Sequence, residues 1–134
     1  MKLLHPLYDQ KYRTITEVNC TFIHAICKYL DIRTKISYSW DYDLHPEKSE
    51  RLASIVEQAE GSHYVSGPAA KSYLVNKPFA NRNITVEWFD YSEYKAYDQL
   101  WGAFEGHVSI VDLLFNHGPN SKNFMFSNLW RQNI

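Results

Sequence analysis

The chain has 134 residues, 14 basic and 15 acidic side chains, a net charge of −1 and 45% apolar residues. That length suits one domain with its own core and that polarity excludes disorder, while the balanced, interspersed charge leaves no footprint for duplex nucleic acid or an anionic membrane. The one departure is an aromatic content of 16%, which supplies flat amphipathic surface for stacking on sugars or bases.

"MKLLHPLY" is too short and too soon interrupted for a signal peptide, and no apolar run reaches the roughly 20 residues that span a bilayer. The chain is therefore expected to be cytoplasmic. "RTITEVNCTFIHAICKYLDI" places Thr14 and Glu17 in capping-box spacing, followed by Ile15, Val18, Phe22, Ile26 and Leu30 at steps of three and four, which predicts an amphipathic helix. Asn19 falls on its apolar face and is expected to find a hydrogen-bond partner. Cys20, His24 and Cys27 share the opposite face. They are ligand types zinc prefers, but a closed site needs four and the other histidines are scattered, so no metal is assigned. Seven residues of helix separate the two thiols by roughly 10 Å, beyond disulfide reach.

"TKISYSW" (34–40) alternates as a strand, and "HPEKSERLASIVEQAEG" predicts a second helix with Leu52, Ile55, Val56 and Ala59 on one face and Gly61 as its C-terminal cap. "HYVSG" then reads as a strand, "PAAKSYLV" as a short helix and "ITVEWFDY" (84–91) as a third strand, parallel or at an antiparallel edge. Near the end, Ser109 and Asp112 have N-cap and N3 spacing and Gly118-Pro119 is a helix stop. The alternation predicts an α/β fold: a single domain over 1–134 with a small, mainly parallel, three- to four-stranded sheet and helices on both faces.

Two places could carry chemistry. The break at Ser66-Gly67-Pro68 lies where a strand ends and a helix begins, an edge at which free amides and a helix dipole hold anions, but it is equally what a well-made helix start requires. His107 and Asp112 flank Ser109 and are the acid/base candidates, the alternative being a plain capping box. There is no Walker loop, GxGxxG or GxSxG elbow, and nothing calls for a cofactor.

Tyr97 and Gln99, Gly102 and Phe104, then Ser109, Ile110, Asp112, Leu113, Leu114, Phe115, Asn116, Gly118 and Pro119 form an ordered series that resembles the WbqC-like protein family. Tyr64, Ser66, Gly67, Lys71 and Tyr73 are similar to that family's "YxSG" segment. A usual opening motif like Gln-Pro-x-Tyr-x-Pro-Trp has no counterpart, so the chain reads as the C-terminal portion of a family member, and Asp98 stands where the family pattern has Pro. The resemblance implies a role in bacterial surface-polysaccharide synthesis, O-antigen or capsule, acting on a nucleotide-linked sugar, with acyl or aminoacyl transfer to an amino sugar as the implied reaction. It implies that Trp88, Tyr97, Trp101 and Phe104 stack on a ring and that Gln99, Ser109, Asp112 and Asn116 bond hydroxyls. The alternative is a non-catalytic module, a homo-oligomer or one that needs a partner chain supplying the missing N-terminal half.

Overall fold

The computed structural model describes residues 3–92 and 94–125. Helices α1 (His5–Tyr8), α2 (Ile15–Tyr29), α3 (Lys48–Gln58), α4 (Lys77–Ala80), α5 (Ile110–His117) and α6 (Lys122–Met125) accompany strands β1 (His63–Ser66) and β2 (Thr85–Trp88). The chain forms two compact units, one of residues 35–92 and one of residues 1–34 with 93–134.

In the first unit β1 and β2 run parallel, with Tyr64 opposite Val86 and Ser66 opposite Trp88. The alternation of side chains along a strand sends Tyr64 and Val86 to one face, where they pack with Leu52, Val56 and Leu74 on a core of Ala53, Phe79 and Ile84. Helices α3 and α4 cover that face. On the other, His63, Val65 and Thr85 are exposed, so within the described residues of this unit the sheet has helices on one face rather than two.

Among the described residues the sheet has two strands, not three or four. The expected strand over 34–40 forms no ladder. Its C-terminal end is drawn into a 3-10 turn, Ser39–Asp41, because the Tyr38 N–H donates to Asp41 Oδ2 at 2.8 Å and Tyr38 stacks on Trp40 at 4.5 Å. The expected helix "PAAKSYLV" is a five-residue 3-10 turn, Pro68–Ser72. Neither α4 nor α1 was legible, since four residues leave no period to read.

Helices α2, α3 and α4 end alike. Asp31, Glu60 and Asn83 take left-handed conformations (φ 52°, 57° and 55°). The next residue's N–H then reaches back: Ile32 to Cys27 O at 2.8 Å, Gly61 to Val56 O at 2.8 Å, Ile84 to Phe79 O at 3.0 Å. Gly61 is thus the donor and not the left-handed residue. It is suited to that place by close approach, as a Cβ there would sit 3.0 Å from Val56 Cγ1.

In the second unit Thr14 caps α2 through the Glu17 N–H (3.1 Å), while the Glu17 carboxylate accepts from the Arg13 N–H, one residue before the cap. No residue of α2 is buried, and the face bearing Ile15, Asn19 and Ile23 is exposed. The expected need for a protein partner at Asn19 therefore lapses. Leu4, Leu30, Leu113, Leu114 and Ser121 are buried, Ser121 donating to Leu113 O and Gly118 O.

Candidate functional site

Residues 94–109 carry no helix or strand, so something other than a backbone ladder must hold them. The Gln99 side chain does this. Its amide oxygen accepts from the Glu105 N–H at 2.8 Å and its Nε2 donates to the Glu105 carbonyl at 3.0 Å, the pairing a neighbouring strand would make. Gly102, at φ 70°, lets the closed loop turn, and Leu100 and Trp101 are displayed at its tip, 76% and 83% exposed.

The second anchor is Asp112 in the first turn of α5. Ser109 caps that helix by accepting from the Val111 N–H at 3.2 Å. Asp112 does not close a capping box. Its Oδ2 accepts from the Tyr97 hydroxyl at 2.8 Å, from Gln99 Nε2 at 2.9 Å and from Asn116 Nδ2 at 3.3 Å. Asn116 also bonds the Asp112 carbonyl at 2.9 Å, one turn back. Burial, and then the hydrogen bond to Asp112, push the Tyr97 phenol above its ordinary pKa, with Gln99 opposing. Tyr97 is therefore a fixed proton donor at neutral pH.

Around Tyr97 the rings of Phe104, His117 and Phe124 stand edge-on at 5.1, 5.5 and 5.8 Å. His117 and Phe124 meet at 4.4 Å. With Ala96, Asp98, Gln99 and Gly102 these rings line an open cavity of about 350 Å³, at the low end for a small-molecule site. His117 Nε2 is sealed among them without a hydrogen-bond partner.

Of the residues singled out from sequence, Tyr97, Gln99 and Phe104 line this cavity, while Asp112 and Asn116 stand behind it as supports and Ser109 caps the helix that carries them. His107 is elsewhere. Its side chain is fully exposed, and the Glu105 carboxylate takes its N–H at 2.7 Å and lies 3.0 Å from its Nδ1. Those two contacts, backbone first, hold the Glu105 carboxyl below its usual range. Sequence reading passed over His117 and Phe124 and took Asp98 only as a departure from a pattern. Nothing local joins positions so far apart in the chain.

In the other unit Tyr64 stacks on Phe79 at 5.0 Å and serves the core. Ser66 ends β1, its carbonyl accepting from the Phe89 N–H at 2.8 Å. Gly67 leads the 3-10 turn beneath the Tyr91 hydroxyl, and Lys71 Nζ lies 5.7 Å from the centre of the Trp88 ring. A turn this short aligns few peptide dipoles, so the anion argument at Ser66-Gly67-Pro68 loses the helix it relied on. Among the described residues no three His, Cys, Asp or Glu side chains are grouped to hold a metal ion, Cys20 and Cys27 are free, and no helix is long and apolar enough to cross a membrane.

The described residues make a mixed helix-and-strand protein with a small parallel sheet and a Tyr-x-Gln loop tied to an Asp on the following helix. Residues 1–124 match the WbqC-like protein family, and the chain belongs to it. The match begins at residue 1 and gives no support to the expectation that only a C-terminal portion is present. The chain is also 45% identical over 123 residues to a protein of Mycobacterium tuberculosis (strain ATCC 25618 / H37Rv) described as "Uncharacterized protein Rv1507c". That alignment covers 91% of this chain and 53% of the relative, so the chain spans about half the length of the curated relative it matches. No solved structure matches.

Proposed function

We propose that this chain is a cytoplasmic protein of bacterial surface-polysaccharide synthesis that binds a nucleotide-linked sugar, with acyl or aminoacyl transfer to an amino sugar as its reaction class. The observation that carries this reading is the cavity of about 350 Å³ at Tyr97: aromatic walls suited to a ring face, beside a loop held in place before any ligand arrives. Membership of the WbqC-like family supports it. Asp112 and Gln99 act here by holding the wall in position, and Trp101 at the loop tip supplies further stacking surface.

Thermal unfolding of the full chain in a panel of nucleotide-linked sugars tests the reading. A ligand at a hundred times its dissociation constant stabilises by about 2.7 kcal/mol, a shift of several degrees, and Asp112→Asn and Gln99→Ala should reduce it. No shift with any member of the panel sinks the proposal. A second reading, a module completed by a partner chain, is favoured by α2, which has no buried residue and leaves Ile15 72% and Ile23 48% exposed. Light scattering that finds a monomer, with no gain in mass when the other half of a longer relative is supplied, removes it.

A further inference from the structure

A second stretch tied down by side chains lies in the unit of residues 35–92. Residues 37–43 carry no strand, yet both of their ends are fixed. At the start the Tyr38 N–H donates to Asp41 Oδ2 at 2.8 Å, the Asp41 N–H donates to the Tyr38 carbonyl at 2.9 Å, and Ser37 Oγ meets the Tyr42 hydroxyl at 2.6 Å. At the end Gln58 of α3 holds Asp43 as Gln99 holds Glu105: its Oε1 accepts from the Asp43 N–H and its Nε2 donates to the Asp43 carbonyl, both at 2.9 Å. This frame keeps Trp40 on display. The Trp40 ring lies flat on that of Tyr38, with centroids 4.5 Å apart and planes within 6°, and 64% of the residue is still exposed. With one face covered by Tyr38, exposure of that extent requires the other face to be open. The turn Ser39–Asp41 has no buried residue, so the ring is not spent on a core.

We propose that the open face of Trp40 is a stacking site for a neutral pyranose ring of an oligosaccharide. The C–H bonds on one face of a pyranose carry small positive charges and pack on the negative face of an indole, removing apolar surface of both from water. A platform stacked and locked before binding loses little freedom when the sugar arrives. The charge of the turn selects against a nucleotide, whose base would stack as well but whose phosphates would be repelled: residues 37–43 carry Asp41 and Asp43 and no basic side chain. Asp41 uses Oδ2 for the Tyr38 N–H, while its Oδ1 and the Asp43 carboxylate have no hydrogen bond among the described residues and are left to accept from hydroxyls. The site belongs to a different unit from the Tyr97 cavity and does not rest on the function proposed for it.

Two-dimensional ¹⁵N NMR on the full chain tests this at the Trp40 indole N–H, assigned by its loss in Trp40→Phe. Cellotetraose, neutral and β-linked with flat apolar faces, should move that signal saturably, and uridine diphosphate should not. Read at the Asp43 amide, Trp40→Ala should weaken cellotetraose about five- to tenfold and Trp40→Phe, which keeps a smaller ring, about threefold. The same amide without ligand shows whether Gln58 still holds the turn, and Trp40→Phe carries the test if Trp40→Ala disturbs it. Tyr73→Ala removes another ring of that unit, 68% exposed, and should leave binding unchanged. No movement of the Trp40 signal with cellotetraose, binding that is unaltered in both Trp40 variants, an equal loss in Tyr73→Ala, or an equal response of Trp40 to uridine diphosphate overturns the inference. The Gln99 side-chain amide reports the Tyr97 cavity in the same spectra. Cellotetraose that moves Trp40 and not Gln99 supports this site independently of the other; cellotetraose that moves Gln99 and not Trp40 overturns it.

Discussion

Two stretches of the chain, residues 35–92 and residues 94–109, are held by opposite means. Residues 35–92 follow the ordinary rule of a small domain, in which a continuous apolar cluster of Ala53, Phe79 and Ile84 is fenced by a parallel strand pair and α3. Their polar groups mostly serve the edges: Arg82 pairs with Glu50 and with Glu57, and Glu47 caps α3 by accepting from the Ser49 and Glu50 N–H groups. Residues 94–109 have no such cluster and no ladder. There the side chains of Tyr97, Gln99, Asp112 and Asn116 do what a backbone ladder does elsewhere, and the rings line an open cavity rather than fill a core. Apolar packing is indifferent to which atoms meet, but a hydrogen-bonded knot fixes a small number of atoms in place, which is what a binding wall needs.

The sharpest way to break this comparison is to remove the centre of the apolar unit. Phe79 is 0% exposed, and Phe79→Ala should cost about 3–5 kcal/mol by deletion of buried surface and the cavity left behind. Urea unfolding read by amide exchange in β1 and β2 checks it. A loss below about 1 kcal/mol would mean that the cluster is not what holds this unit.

Next in size is the polar knot. Asp112→Ala leaves the Tyr97 hydroxyl and the Gln99 amide without their charged acceptor, an expected loss of about 2–3 kcal/mol. Its signature is local: the Glu105 amide, which donates to Gln99, should exchange faster. Unchanged exchange at Glu105 would show that the loop has another anchor.

Legibility followed the same division. Helices α2, α3 and α5 were readable because their apolar residues recur at helical spacing and their caps are Ser, Thr or Glu side chains and a Gly-Pro stop. Strands β1 and β2 were readable from β-branched and aromatic runs, although "TKISYSW" has the same look and becomes a turn because Asp41 and the Tyr38–Trp40 stack act locally against extension. The Tyr97–Gln99–Asp112 group was visible as a motif before its geometry was known. What the motif could not say is that Asp112 reaches back to the loop instead of capping its own helix, since the two uses share one spacing. His117, Phe124 and Asp98 were out of reach altogether, because a cavity wall assembled from three segments has no period.

The smallest of the three effects separates the aromatic wall from the polar knot. Tyr97→Phe keeps a ring among Phe104, His117 and Phe124 and deletes only the hydroxyl that Asp112 accepts, so the expected loss is about 1.5 kcal/mol with the cavity's shape retained. Its pH dependence identifies the hydroxyl. The folded phenol is raised above its ordinary value of 10.0, so the folded state holds this proton more tightly than the unfolded chain does. The stability it contributes is therefore fully present below pH 10 and is lost as pH rises through the folded value. The difference in unfolding free energy between wild type and Tyr97→Phe should accordingly be flat from pH 7 to about 9 and shrink above 10. Every other group is common to the two proteins, so the difference isolates the Tyr97 hydroxyl. A difference that stays constant across that alkaline range would place the Tyr97 proton outside the knot and leave Gln99 alone to tie the loop to α5.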